Sequence, residues 1–239
     1  MSTYCKNIAA RERLIVALDL PTTEEAKGFV SSLGDAACFY KLGLELLMSG
    51  DYFEMVDWLV RRGSKVFVDL KFFDVPETVR AAVRGLRNRG VTFATVHGNQ
   101  AILEAAGRDK GEVGILAVTA LTSLDQGDLD DLGFQCDVQR LVLSRARRAL
   151  DAGCDGVISS GLEAPALKRE LGSRLLVVTP GIRPVENKPA DDQKRTVDVA
   201  QAFANGADYI VVGRPIRLAT DPRAAAEAIQ KTIDAIYPA

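Results

Sequence analysis

The stretch RRGSKVFVDLKFFDVPETV, residues 61–79, carries the pattern that decides the fold. Gly63 follows two arginines, at the expected end of a helix. An apolar, β-branched run comes next and ends in charged residues, and Pro76 then stands where a new helix can begin. The glycine-then-strand part recurs in NRGVTFATVHG (88–98), DAGCDGVISSG (151–161) and NGADYIVVGRP (205–215). Each glycine fits the position just past a helix, where a left-handed backbone costs glycine little. The repetition predicts successive βα units.

Eight such apolar runs alternate with longer stretches of helical spacing. The predicted strands are Leu14–Leu18, Cys38–Leu42, Val66–Leu70, Phe93–Val96, Ile115–Leu121, Gly156–Ser159, Leu175–Thr179 and Tyr209–Val212. Strands this apolar are typical of a parallel sheet buried on both faces. We therefore predict one α/β domain over residues 1–239, a (β/α)8 TIM barrel. A doubly wound open sheet is the competing architecture, but it more commonly has a Gly-rich turn after its first strand, and ALDLPTTEEA has none.

Composition narrows the function classes. The chain has 239 residues, 47% of them hydrophobic, and a net charge of −2 without a basic tail, so we expect neither a nucleic-acid nor a membrane-surface partner. The N-terminus lacks an apolar signal core and no run approaches membrane-spanning length, which predicts a cytoplasmic protein. No HExxH, CxxC or His/Cys cluster is present, so we expect no transition-metal site.

Polar residues follow the apolar runs, at the strand ends where the active sites of these barrels lie. They are Asp19, Lys41, Asp69, Lys71, His97, Thr122, Ser123, Ser159, Ser160, Gly181–Arg183, Gly213 and Arg214. Buried charges in a barrel mouth are costly unless they pair with one another or with a ligand. The strand ends therefore predict a charged site.

The segment VDLKFFDVPET holds the most informative charges. Asp69 and Lys71 are two apart on a strand and so share a face, and Asp74 follows in the loop. With Lys41 and Asp19 from neighbouring strand ends they form an alternating array of carboxylates and ammoniums. An ammonium flanked by carboxylates keeps its proton, so Lys71 is expected to be an acid rather than a Schiff-base nucleophile. The alternative is a salt-bridge ring that only closes the top of the barrel.

A second cluster, VVTPGIRP and GADYIVVGRPI, follows the seventh and eighth strands. Loops at this place commonly bind phosphate, with backbone N–H groups at the start of a short helix. Gly181, Gly213 and Arg214 suit that role, because glycine permits close approach and arginine supplies a planar fork. The alternative is that Gly213 and Arg214 simply end a strand. The polar segment 184–195 is long enough to close over a ligand.

These motifs together resemble one family, the orotidine 5′-monophosphate decarboxylases of the bacterial type. DLKFFDVPETV resembles the family's DxKxxD signature with its following Pro and Thr. The resemblance extends over nearly the whole chain, through ALDLP, YKLG, TVHG, ALTS, TPGIRP, DDQKR and YIVVGRPI. It implies a cofactor-independent decarboxylation of orotidine 5′-monophosphate to UMP and CO2 by a homodimer with shared active sites.

The resemblance also implies a role for each matching residue. Asp19 holds the ribose, Lys41 contacts the ribose within the charge array, Asp69 sits against the substrate carboxylate, and Lys71 donates the proton. Asp74 and Thr78 reach into the partner's site, and Thr122 in the fifth loop helps to close over the base and the ribose. The phosphate and the closed segment are held by Arg183, Gln193, Gly213 and Arg214. One departure is Glu77, where the family commonly has Asn; a first-turn helix acid there does not affect the chemistry.

Two rival functions remain open. One is a Mg²⁺-dependent sugar-phosphate decarboxylase or aldolase of the same superfamily, which shares DxKxxD. Lys41 argues against it, because a metal site there requires a carboxylate. The other is a barrel that binds a nucleotide as a sensor without catalysis. The array disfavours it, because a sensor of an anionic ligand gains nothing from Asp69 facing a carboxylate.

Overall fold

A computed structural model describes residues 8–183 and 195–238 and shows a closed barrel of eight parallel strands in chain order. The strands are β1 (Leu14–Ala17), β2 (Phe39–Leu42), β3 (Lys65–Phe72), β4 (Phe93–Val96), β5 (Gly114–Val118), β6 (Gly156–Ile158), β7 (Leu176–Thr179) and β8 (Tyr209–Val212). Strand β8 pairs with β1 and closes the barrel. The predicted TIM-barrel fold is confirmed.

Helices follow each strand and cover the outside of the barrel. They are α1 (Thr23–Leu33), α2 (Leu44–Leu47), α3 (Tyr52–Arg61), α4 (Pro76–Gly85), α5 (Gln100–Arg108), α6 (Gln126–Asp131), α7 (Val138–Asp151), α8 (Ala164–Leu171), α9 (Val199–Ala204), α10 (Arg214–Arg217) and α11 (Pro222–Ile236). Within the described ranges, no helix has both the length and the apolar character needed to cross a bilayer.

Two predicted strand ends differ from the observed ones by more than one residue, and the other boundaries agree to within one residue. The fifth strand was predicted to reach Leu121, but β5 ends at Val118 and Leu121 begins a turn whose carbonyl accepts the Leu124 N–H. Ala120 and Leu121 are apolar and so prolong the apolar run in the sequence, although Leu121 is exposed in the structure. The third strand continues beyond its predicted end at Leu70, because its charged residues remain part of β3.

The predicted left-handed glycines are confirmed at all four helix-to-strand junctions. Gly63, Gly90, Gly153 and Gly206 have φ angles between 71° and 99°. At Gly90 the conformation coincides with close packing, since an added Cβ would lie 2.6 Å from Cγ1 of Val60. A side chain at this position would therefore meet both backbone strain and a steric clash.

Aromatic rings fill the lower half of the barrel. Phe39, Phe93 and Tyr209 are the first residues of their strands, and their ring centroids lie 5.3–5.9 Å apart. Phe67, two residues into β3, packs edge-on against Phe93 from above. Because this plug occupies the N-terminal ends of the strands, the open space lies at their C-terminal ends.

Candidate active site

A cavity of about 490 Å³ opens at the C-terminal ends of the strands. Phe67, Val118 and Ile158 contribute apolar surface to its lining. The predicted site residues that also line it are Asp19, Lys41, Asp69, Lys71, Thr122, Ser123, Gly181, Arg183, Gly213 and Arg214. The structure thus collects in one cavity residues that the sequence places at the ends of six different strands.

The predicted charge array is present as a continuous chain of ion pairs. Lys41 Nζ lies 3.1 Å from Asp19 Oδ1 and 3.4 Å from Asp69 Oδ2, and Lys71 Nζ lies 2.9 Å from Asp69 Oδ1. The side chains of Lys41 and Asp69 are 11% exposed, whereas that of Lys71 is 33% exposed. Lys71 is therefore the cation of the array that is most accessible to a ligand in the cavity.

The ion pairs determine the charge states at the centre of the array. Burial raises the pKa of Asp69, but the attraction of Lys41 and Lys71 outweighs it and holds that pKa below its ordinary value. Burial likewise lowers the pKa of Lys41, and the attraction of Asp69 and Asp19 brings that pKa above its ordinary value. Both groups are therefore charged at neutral pH.

The lowered pKa of Asp69 predicts a specific loss of stability in acid. A carboxylate with a depressed folded-state pKa stabilises the fold above its unfolded-state pKa of about 3.9 and loses that contribution as the pH falls through the folded-state pKa. In urea unfolding, the stability gap between wild type and Asp69→Asn is expected to be largest at pH 7 and to shrink below about pH 4. A gap that stays constant between pH 7 and pH 3 would contradict this assignment.

The backbone of β3 is irregular where it presents these charges. Pairing with β4 shifts register between Val68 and Phe72, and Lys71 has a φ of 48°, in the left-handed region. Asp69 and Lys71 do meet as predicted, but through this bulge and not by the regular alternation of a strand. A left-handed non-glycine residue costs about 1–3 kcal/mol, and such residues cluster at functional sites.

The opposite side of the cavity is built by the loops after β7 and β8. Gly181 has a φ of 75°, and the buried Arg183 lies beside it, with its backbone N–H donating to the Val197 carbonyl (2.9 Å). Gly213 precedes α10, whose first residue is Arg214. This side of the cavity thus combines two arginines with a glycine-bounded helix start, which is a suitable environment for a phosphate.

The chain is similar to known proteins over nearly its whole length. The sequence profile of the orotidine 5′-phosphate decarboxylase / HUMPS family matches residues 12–229. The chain belongs to this family. It is 69% identical to the orotidine 5′-phosphate decarboxylase of Methylococcus capsulatus over 98% of this chain and 97% of that protein. It is 52% identical to the one from Stenotrophomonas maltophilia, over 93% and 92% of the two chains.

Solved structures of the orotidine 5′-phosphate decarboxylase family have the same fold. The crystal structure of the Lactobacillus acidophilus orotidine 5′-phosphate decarboxylase shares 37% identity and superimposes with a TM-score of 0.82, covering 93% of this chain and 99% of that one. The Pyrococcus horikoshii OT3 enzyme shares 26% identity with a TM-score of 0.73, over 92% and 98% of the two chains.

Not every residue that the family resemblance singled out lies in the cavity of one chain. Asp74 and Thr78 are exposed and do not line it, and Asp74 Oδ1 accepts the N–H of its neighbour Val75 (2.6 Å). His97 packs its ring against Phe73 outside the cavity lining, with 5.4 Å between centroids. Gln193 and most of the segment 184–195 lie outside the described residues.

A largely buried ion pair, between Arg195 and Glu163, was not predicted from the sequence. Arg195 Nη1 lies 2.5 Å from Glu163 Oε1, and Arg195 Nη2 donates to the Leu121 carbonyl (2.8 Å). Ser159 Oγ donates to the other Glu163 oxygen (3.3 Å). The pair therefore joins the loops after β5, β6 and β7, next to Thr122. Arg195 ends the DDQKR motif, but nothing in the sequence indicated that its partner is Glu163.

This pair is expected to contribute strongly to stability. Glu163→Ala leaves the Arg195 guanidinium, whose side chain is only 11% exposed, without its carboxylate, which costs about 3–5 kcal/mol of unfolding free energy. The matched control is Glu170→Ala, because Glu170 also lies 2.5 Å from an arginine, Arg147, but is 36% exposed, against 9% for Glu163. That control is expected to cost less than about 1 kcal/mol. Equal losses in urea unfolding would refute the buried-pair assignment.

The described residues offer no cluster of metal ligands. No group of three or more His, Cys, Asp and Glu side chains among them is arranged to hold a metal ion. Cys38, Cys136 and Cys154 are free thiols. Burial raises the pKa of the Cys154 thiol to about 12, so this cysteine is an unreactive core residue.

Proposed function

We propose that this chain decarboxylates orotidine 5′-monophosphate to UMP and CO2 without a cofactor, as the last step of de novo pyrimidine nucleotide synthesis. The observation that carries the proposal is the Lys71 ammonium, ion-paired with Asp69 inside a cavity whose other side suits a phosphate. Membership of the family and the relatives' names support the same activity. The whole chain, residues 1–239, acts as one barrel domain.

Lys71 serves both as electrostatic partner and as proton donor. Loss of CO2 from C6 leaves an electron pair in the plane of the ring, where it cannot spread into the carbonyl π system. A fixed positive charge beside C6 stabilises this pair as the C–C bond breaks. The Lys71 Nζ–H bond then breaks, its proton bonds to C6, and UMP forms. The ion pair with Asp69 holds the ammonium in place for both events.

The other predicted site residues bind parts of the substrate that do not react. Asp19 and Lys41 contact the ribose, and Thr122 helps to cover the base. The phosphate is held by Arg183, Gln193, Gly213 and Arg214. Binding energy from the phosphate organises the charge array and excludes water, so that it lowers the barrier at C6. Asp69 lies against the substrate carboxylate.

The active enzyme is a homodimer in which Asp74 and Thr78 complete the partner's site. Asp74 is flanked by Phe73 and Val75, whose side chains are 67% and 63% exposed. Large apolar residues exposed together mark surfaces that a partner protein covers. A segment in which Asp74 lies between two exposed apolar residues is therefore suited to form an interface and to place a carboxylate in the partner's site.

We place this activity in the cytoplasm, with no nucleic-acid or membrane partner. The free thiols of Cys38, Cys136 and Cys154 suit a reducing compartment. The net charge of −2 is not the strongly positive charge that is typical of proteins that bind nucleic-acid phosphates.

The decisive assay follows the absorbance of orotidine 5′-monophosphate in metal-chelated buffer. Loss of the substrate absorbance with formation of UMP in EDTA is the expected result. Turnover that EDTA abolishes and Mg²⁺ restores would instead support the metal-dependent rival, against which Lys41 already argues. Tight UMP binding without any substrate loss would support the nucleotide sensor.

Arg214→Ala tests the phosphate side of the site. The variant loses a charge-assisted hydrogen bond, so substrate affinity is expected to fall by roughly 1.5–3 kcal/mol. The measurement compares orotidine 5′-monophosphate with the dephosphorylated nucleoside. An equal loss with both ligands would show that Arg214 does not act through the phosphate.

A further inference from the structure

Thr95 occupies a central place in the charge array although it does not line the cavity. It lies in β4, next to β3, and is fully buried. Its Oγ1 donates to Asp69 Oδ1 (2.9 Å) and accepts the backbone N–H of Lys71 (2.9 Å). One hydroxyl thus contacts the carboxylate of one reactive residue and the backbone of the other.

One hydrogen bond of the Thr95 hydroxyl determines the direction of the other. A hydroxyl has one proton to donate, and the Lys71 N–H occupies one of its lone pairs. The proton is therefore directed to Asp69, whose Oδ1 also accepts from Lys71 Nζ (2.9 Å). Asp69 Oδ1 is thereby fixed by two donors, while Oδ2 lies toward Lys41.

The hydrogen bond from the Lys71 N–H to Thr95 Oγ1 also satisfies a backbone donor of β3 beside the register shift. The register shift between Val68 and Phe72 interrupts the ladder with β4, so the Lys71 N–H needs another acceptor. Thr95 supplies it from the side chain, at a residue whose φ of 48° is unfavourable for lysine. Without this hydroxyl the bulge loses the hydrogen bond that compensates for its strain.

We propose that Thr95 is a positioning residue for the decarboxylation: it holds the Asp69 carboxylate and the strained Lys71 backbone in one arrangement. The inference rests on the proposed function. Thr95 does not touch the substrate, so it acts on the chemical step through Lys71 and leaves substrate binding nearly unchanged.

The test compares Thr95→Val, which keeps the shape and removes the hydroxyl, with Thr95→Ser, which keeps the hydroxyl. Misplacement of a reacting group by about 1 Å can cost 10²-fold in rate, so kcat of Thr95→Val is expected to fall by about that factor. KM for orotidine 5′-monophosphate should change less than about threefold, and Thr95→Ser should recover most of kcat. If Thr95→Val does not fold, Thr95→Ala against Thr95→Ser gives the same comparison of hydroxyl absent and present.

The matched control is Thr179→Val in β7. Thr179 is also fully buried at the top of a strand, but none of the described residues hydrogen-bonds its Oγ1. This variant is expected to keep kcat. Full activity of Thr95→Val, or an equal loss in Thr179→Val, would overturn the proposal.

A crystal structure of Thr95→Val distinguishes failure of the positioning role from failure of the proposed function. Absence of turnover by the wild-type protein would refute the proposed function. The positioning claim is then judged by geometry alone: a displaced Lys71 ammonium or Asp69 carboxylate supports it, and an unchanged pair refutes it.

Discussion

Lys71→Ala is expected to lower kcat by at least about 10⁴-fold while leaving UMP binding largely intact. The substitution removes the positive charge beside C6, which is worth about 10²–10³-fold, and the proton that C6 receives, which is worth about 10²–10⁴-fold. UMP carries no C6 carboxylate and is bound mainly through its ribose and phosphate, so its affinity depends little on Lys71. The measurements are kcat with orotidine 5′-monophosphate and the dissociation constant of UMP.

Lys65→Ala is the matched control for this experiment. Lys65 begins the same strand, β3, but pairs with Glu12 (2.5 Å) at the opposite end of the barrel. It is expected to keep wild-type kcat. Retention of more than a tenth of wild-type activity by Lys71→Ala would contradict the role assigned to this lysine.

The second large effect is expected when two inactive variants are mixed. If Asp74 completes the partner's site, Asp74→Ala alone should lose about 10²–10³-fold in kcat, the cost of removing one preorganised charged group. Mixed with Lys71→Ala under conditions that allow subunit exchange, it forms heterodimers with one native site. That site takes Lys71 from one chain and Asp74 from the other.

The expected recovery can be calculated. With random exchange half of the dimers are mixed and one of their two sites is native, so activity should rise to about a quarter of wild type. The control mixture is Lys71→Ala with Asp69→Ala, which must stay inactive because Asp69 and Lys71 of a site belong to one chain. No recovery in the first mixture would show that Asp74 does not serve the partner's site.

The barrel was predictable because local signals repeat. A glycine such as Gly90, an apolar run and a polar strand end occur in unit after unit, and each signal has a local cause. The charge array followed from the same regularity, because the ends of parallel strands converge. Asp19, Lys41 and Asp69 could therefore be placed together without knowing any contact.

The contacts that hold the array were not predictable in this way. Thr95 stands inside an apolar run and looks like an ordinary β-branched strand residue; its role depends on a register shift in the neighbouring strand. Glu163 and Arg195 are 32 residues apart, and neither position shows a pattern that links it to the other. The role proposed for Asp74 depends on a second chain, which no local signal describes.

The proposed mechanism requires the Lys71 ammonium to stand beside the carbon that loses CO2. The most direct measurement is a crystal structure of the protein with UMP bound. Lys71 Nζ is expected within about 3.5 Å of the pyrimidine C6, with the phosphate at Gly213 and Arg214. A pyrimidine bound with C6 beyond reach of Lys71, or a Lys71 side chain turned out of the cavity, would contradict it.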